Sequence, residues 1–179
     1  MNPLDIINKY YCEGSPLWLT LTEHSKAVRD KALDIVARHP ELNADAYFVS
    51  EAAMLHDIGI FMTHAPDLHC TGTYPYICHG YLGRQLLEKE GYPLHALVCE
   101  RHTGTGLSLS DIQSQGLPIP QRNMIPLTIE EQIICFADKF YSKSRSLRQA
   151  KSIDKIIKAM RKHGNHQVAQ FESWCQQFL

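Results

Sequence analysis

An apolar helical run ending in Met54-Leu55-His56-Asp57-Ile58-Gly59 constrains this chain more than any other stretch. Ala46, Val49, Ala52, Ala53 and Leu55 leave almost no polar face on the segment 45–56, so a helix there must be covered on all sides and belongs at the centre of the fold. The run then delivers an imidazole and a carboxylate side by side. A carboxylate taken out of water must be paired or bound to a metal, so Asp57 points to chemistry and not to packing. The last carbonyls of a helix carry partial negative charge, which favours a cation at the same end. Gly59 is expected to stop the helix.

The rest of the chain also has helical periodicity. Pro3 opens a short helix over 3–12, interrupted by Gly14-Ser15-Pro16. Thr20-Leu21-Thr22-Glu23 has the capping-box pattern, and the helix after it runs to about His39, before Pro40. His24 lies on its inward stripe beside Ala27 and Val28. Residues 60–75 carry His64, Pro66, His69, Gly72 and Pro75 and read as an irregular loop, of a length that is usually functional. A helix over 76–90 has His79 and Gly80 near its start, and Gly80 lets another backbone approach. Pro93 opens the next helix, which ends in Glu100-Arg101-His102 ahead of the turn Thr103-Gly104-Thr105-Gly106. That turn resembles a phosphate cradle only loosely.

One or two helical turns at 108–115 and a proline-rich connection over 117–126 follow. Thr128-Ile129-Glu130-Glu131 is a second capping box and opens a helix containing Ala137-Asp138-Lys139. Two amphipathic helices, at about 152–163 and 165–178, carry no visible chemistry and read as packing or as a homodimer surface. No β-pattern of useful length, repeat or domain boundary intervenes. The expectation is one all-α domain over 1–179, with a core at about 20–145 and C-terminal helices at 150–178 packed onto it.

The formal net charge is −1, so no bulk field points to a nucleic-acid polymer or an acidic membrane. No apolar segment approaches the ~18 residues of a membrane span, and Met1-Asn2-Pro3-Leu4-Asp5 does not begin a leader. A cytoplasmic protein is expected. The six cysteines, at 12, 70, 78, 99, 135 and 175, form no CxxC and read as reduced, buried thiols. A late basic tract begins with Lys139, Lys143, Arg145, Arg148 and Lys151. It reads first as a solvated helical face; the sharper alternative is that its first members meet a phosphorylated ligand.

Each histidine alone is ordinary; together they form a pattern. His24, the His56-Asp57 doublet, His79, His102 and Asp138 lie within or at the ends of five separate helices. Four imidazoles and two carboxylates suit one or two divalent transition metals, Fe, Mn, Co, Ni or Zn. The lack of thiolates argues against a structural zinc site.

The order His…His-Asp…Asp, read through Glu23-His24-Ser25, Leu55-His56-Asp57-Ile58-Gly59, His79-Gly80, Arg101-His102-Thr103-Gly104 and Phe136-Ala137-Asp138-Lys139, resembles the HD-domain metal-dependent phosphohydrolase superfamily, of the HDIG kind. The resemblance implies a helical bundle with its metal site between the central helices. It makes His24, His56, Asp57 and Asp138 the minimal ligands. His79 and His102 match the extra positions of two-metal members, in which the Asp at position 57 bridges the ions. Such members include bacterial diadenosine-tetraphosphate hydrolases and the HD-GYP phosphodiesterases. Tyr81 follows Gly80 here, but the wider GYP signature is missing and Ile60 stands where many HD-GYP members have Lys. Cyclic-dinucleotide specificity is therefore not carried over.

The implied reaction is hydrolysis of a phosphate ester or anhydride in a small, nucleotide-like substrate by metal-activated hydroxide. Asp57, Lys139 and Arg101 are the expected catalytic residues, with Lys139, Arg145, His64 and Thr103 binding substrate. Lys139 serves equally as an ion-pair partner of Asp138. Two alternatives share the ligand set: an HD-fold di-iron oxygenase, and a nucleotide-binding regulatory protein with a vestigial site.

Overall fold

Ser15 and Pro16, not Thr20, begin the long second helix. The Ser15 hydroxyl accepts from the Trp18 N–H, and Pro16 takes the first helical position, where its missing N–H costs nothing. That cap lies upstream of the expected capping box, so Thr20 and Glu23 fall inside the helix. The structure is a computed structural model and describes residues 1–143 and 149–179. Its helices are α1 (Pro3–Tyr10), α2 (Pro16–Arg38), α3 (Ala46–Leu55), α4 (His79–Lys89), α5 (Pro93–Arg101), α6 (Leu109–Ser114), α7 (Ile129–Asp138), α8 (Ile153–Met160) and α9 (Asn165–Phe178). Apart from one minimal hairpin, the described residues are all-α, as expected. No helix among them is long and apolar enough to cross a membrane.

Helix α3 takes the central place its composition demands. Asp45 caps it by accepting from Tyr47 and Phe48 N–H, and its buried residues Val49, Ala52, Ala53, Met54 and Leu55 pack among α1, α2, α5 and α7. Two apolar cores meet along it. One joins α2, α3, α7 and α9, where the Phe136 ring lies against Phe140, Phe171, Trp174 and Phe178. The other joins α1, the start of α2, the end of α3, and α4 with α5, through Ile7, Leu21, Leu55, Leu87 and Cys99. The apolar face of α9 is thus used for packing within the chain.

The segment 60–75 is not a structureless loop. Short 3-10 turns at Ile60–Met62 and Pro66–Leu68 flank β1 (His64–Ala65), which pairs antiparallel with β2 (Cys70–Thr71), His64 opposite Thr71. Backbone bonds from His64 N to Tyr74 O and from Gly72 N to Thr63 O close the excursion. Two-residue strands carry no readable period, which is why the sequence hides them.

Gly59 does not stop the helix. Helix α3 has already ended at Leu55, and Gly59 keeps right-handed backbone angles, φ −81° and ψ −4°. Its role is close approach: a Cβ there would sit 2.2 Å from the His79 carbonyl oxygen and 2.5 Å from Gly83 N. A Cβ on Gly80 would lie 2.8 Å from the Cys99 carbonyl oxygen. These two glycines let α4 press against the His56-Asp57 turn on one side and α5 on the other.

All six cysteines are free. Cys70, Cys78, Cys99 and Cys135 are buried, but Cys12 is exposed and Cys175 half-buried, contrary to the expectation for those two. Cys12 follows the end of α1, where the chain turns at the surface before Ser15.

Candidate metal centre

Six side chains from five separate stretches of the sequence converge. His24 faces inward from the third turn of α2, His56 and Asp57 leave the end of α3, and His79 opens α4. His102 follows α5, and Asp138 ends α7. All six are buried, His24, His56 and Asp57 completely. His24, His56, Asp57 and Asp138 each offer a ligand atom within 4.8 Å of the others, and Asp57, His79 and His102 form a second such group. Asp57 belongs to both, and its two oxygens divide the work. Oδ2 lies 3.3 Å from His24 Nε2 and 3.1 Å from His56 Nε2. Oδ1 lies 3.4 Å from His79 Nε2 and 3.3 Å from His102 Nε2. Asp138 Oδ1 completes the first group, 3.0 Å from His24 Nε2 and 3.5 Å from His56 Nε2.

The donor chemistry fits a cation. The Nδ1 atoms of His56, His79 and His102 lie 2.7, 2.7 and 2.8 Å from the carbonyls of Ala53, Tyr76 and Cys99. A carbonyl only accepts, so each Nδ1 carries its proton and each ring turns its Nε2 into the centre. This is the support that metal-ligating histidines use. His79 Nε2 and His102 Nε2 stand 3.1 Å apart, two lone pairs facing each other, which is repulsive unless positive charge lies between them. Both Asp57 oxygens, His56 Nε2 and His24 Nδ1 are buried without an aligned hydrogen bond. Each such atom costs about 1–3 kcal/mol when left unsatisfied. Oxygen and imidazole donors gathered into two such groups match divalent first-row ions.

The charges are arranged to match. Burial opposes ionisation of Asp57, but Lys143 and His56 outweigh it and hold the carboxyl well below its usual range. Lys139 and Lys143 do the same for Asp138 against its burial. Burial lowers His56, yet the two carboxylates prevail and bring it up to about 9. At His79 burial prevails and pushes the ring down to about 3, and it also lowers His102.

A cavity of about 620 Å³ opens beside Asp138. It is walled by 65–68, Tyr76 and Tyr141, by Lys139, Lys143 and Lys151, and by Ile156, Ala159, Met160 and His163 from α8 and the turn after it. Lys143 Nζ lies 2.7 Å from Asp57 Oδ2 and 4.0 Å from Asp138 Oδ1. Lys139 Nζ lies 2.9 Å from Asp138 Oδ2 and donates to the His102 carbonyl at 3.0 Å.

Three expected site residues are not brought here. Arg101 turns away and grips both oxygens of the buried Glu131, at 2.9 and 3.0 Å, because that carboxylate needs a cation. It lines a separate, largely apolar cavity of about 490 Å³ with Phe48, Leu94 and Leu127. Glu131 also accepts from Leu127 N at 2.7 Å, so the Thr128 capping box is only half formed. His64 sits exposed in β1, where the hairpin directs its side chain to solvent, and does not line the main cavity. Thr103 does not line the cavity, and its carbonyl accepts from Gly106 N at 2.9 Å. Arg145 lies outside the described residues. The sequence places Lys143 and Lys151 in a basic tract but not at this cavity, and it gives no sign of Tyr76 or the α8 wall there.

Residues 21–143 match the model of the HD domain. Over 98% of its length the chain is 28% identical to a tRNA (cytidine(56)-2'-O)-methyltransferase of Thermoplasma volcanium, of which it covers 45%. It is 30% identical over 70% of its length to the protein of that name from Picrophilus torridus, of which it covers 37%. An uncharacterized protein of Methanocaldococcus jannaschii is 30% identical over 79% of this chain and 76% of its own length. The chain thus spans less than half the length of the two curated methyltransferases. No solved structure matches.

Proposed function

We propose, since this chain belongs to the HD-domain family, that it is a metal-dependent phosphohydrolase cleaving a phosphate ester or anhydride in a small, nucleotide-like molecule. The observation that carries the reading is the division of Asp57 between two groups of imidazoles, directly beside a lysine-lined cavity. His24, His56, Asp57 and Asp138 would hold one ion; Asp57, His79 and His102 would hold a second. Bound divalent ions of this class act as Lewis acids, lowering the pKa of coordinated water towards 7 and neutralising phosphoryl charge.

The chain's own groups supply the rest. The carbonyls of Ala53, Tyr76 and Cys99 fix the three imidazole tautomers, so no reorientation is needed during reaction. Lys139, tied to Asp138 and to the His102 carbonyl, orients those two ligands. Lys143 spans from the cavity to Asp57 and is the cation best placed to meet charge on a phosphoryl oxygen. Lys151 adds positive charge further out, and Ile156 and Met160 give an apolar wall for the body of the substrate. The cavity has the size of an ordinary small-molecule site. The methyl transfer named in two relatives is not carried over, because more than half of each of those proteins lies outside the match.

The test is phosphate release from mono-, di- and dinucleotide polyphosphates by manganese-reconstituted protein, with Asp57→Ala as the control. Activity that survives Asp57→Ala overturns the assignment. Oxygen uptake with iron, and no phosphate release with manganese, assigns the centre to the oxygenase alternative.

A further inference from the structure

One side chain of the C-terminal helix grips the turn that follows a ligand of the metal centre. Gln167, near the start of α9, is buried to 3% exposure. Its Oε1 accepts from Thr105 N at 2.6 Å and from Thr105 Oγ1 at 2.8 Å, and its Nε2 donates to the Gly106 carbonyl at 2.8 Å. A single amide thus holds both ends of the peptide pair that follows Gly104. Gly104 takes φ +62°, and a Cβ there would lie 2.6 Å from Gln167 Oε1, so only glycine admits this clamp.

The turn held in this way begins at His102. The His102 carbonyl also accepts from Lys139 Nζ and from Cys135 Sγ, and Cys135 Sγ lies 3.4 Å from the Gly104 carbonyl. The backbone that carries His102 is therefore fixed from α7 on one side and from α9 on the other. His24 and Asp138 stand directly on α2 and α7, and the turn after α3 that carries His56 is held by Cys99 Sγ on the Leu55 carbonyl and Tyr11 Oη on the Ile58 carbonyl.

We propose that Gln167 is a positioning residue for the His79–His102 half of the centre, holding the 103–106 turn so that His102 Nε2 faces Asp57. The inference rests on the reading that both halves take an ion. It concerns α9, a helix in which the sequence shows no chemistry.

The test is a manganese titration of the metal-stripped full chain, read by the free-ion and spin-coupled signals in electron paramagnetic resonance. The wild type should take up two ions. Gln167→Met keeps the side-chain volume and removes the three hydrogen bonds to the turn. It should weaken the second ion at least tenfold and leave the first within twofold. Thr105→Val removes only the hydroxyl contact and should weaken the second ion about threefold, which keeps the test alive should the methionine variant fail to fold. Equal weakening of both ions, or no change in either variant that folds, overturns the role of Gln167. A wild-type chain that takes up a single ion overturns the two-ion reading, and this inference falls with it.

Discussion

The two halves of the centre share Asp57 but are built differently. His24 and Asp138 come from α2 and α7, and His56 from the end of α3, three elements whose apolar faces form one core. This half has two carboxylates beside two imidazoles, and their charge brings His56 up to about 9 against its burial. His79 and His102 come from α4 and α5, pressed inward by glycines and steadied by a turn that α9 clamps. That half has only the Asp57 carboxylate, and burial pushes His79 down to about 3. A second carboxylate ligand on a more rigid base should give the tighter ion. The comparison teaches that the same ligand types can make a strong and a weak site, depending on what stands behind them.

The largest effect should come from the rigid half. Asp138→Ala removes its second carboxylate and leaves Lys139 without its ion-pair partner. It should remove the first ion and, with it, all measurable phosphate release. Metal analysis after desalting checks this: a variant that retains both ions equalises the halves and breaks the comparison. His102→Ala should be milder. It should empty only the weaker half, leaving one ion per chain, with activity reduced about 100-fold or more, beyond the 10–100-fold typical of a lost outer partner. Loss of both ions from His102→Ala reverses the proposed order.

Lys143 sharpens the contrast, because metal and substrate pull its effect in opposite directions. Its ammonium lies against Asp57 Oδ2, on the side that faces His24 and His56. Lys143→Met removes a positive charge that competes with the ion for that oxygen, so the first ion should bind several-fold tighter. The same change removes the cation facing the cavity, so kcat/KM should fall about 10- to 100-fold, the value of a charge-assisted hydrogen bond of ~1.5–3 kcal/mol. A titration and a steady-state assay on the same preparation separate the two. Weaker metal binding together with lower activity would show that Lys143 only holds the carboxylates in place.

Much of this was legible in the chain. Asp45 and Thr128 announce helix starts, and His56, Asp57 and Asp138 stand out as polar groups at the ends of apolar helices, where only pairing or metal explains them. The order of motifs then ties them to a family. Other features leave no local trace. Lys143 follows the end of α7 in non-helical chain, where no periodicity assigns a direction to a side chain. Gln167 is a polar residue on an amphipathic helix, a position that normally faces water. Gly59 has the spacing of a helix stop, and its real role appears only when the His79 carbonyl is placed against it. Thr20 misleads because a better cap precedes it.

Arg101 should have the smallest effect on the centre, and it tests whether proximity in sequence to a ligand means anything. It adjoins His102, yet its guanidinium holds Glu131, which is otherwise bound only by the Leu127 N–H among its described contacts. Arg101→Met should leave kcat/KM and both manganese affinities within about twofold. Its cost should fall on folding, because Glu131 is 4% exposed and a buried charge without its partner costs about 3 kcal/mol. For a chain of this size that lowers Tm by roughly 6–12 °C. Adding Glu131→Leu should recover most of the loss, since removing both charges avoids the stranded carboxylate. Thermal denaturation of the two variants beside their kinetics decides the matter. A tenfold drop in kcat/KM with Tm unchanged would return Arg101 to the chemistry, and with it the idea that the α5 end presents two functional side chains and not one.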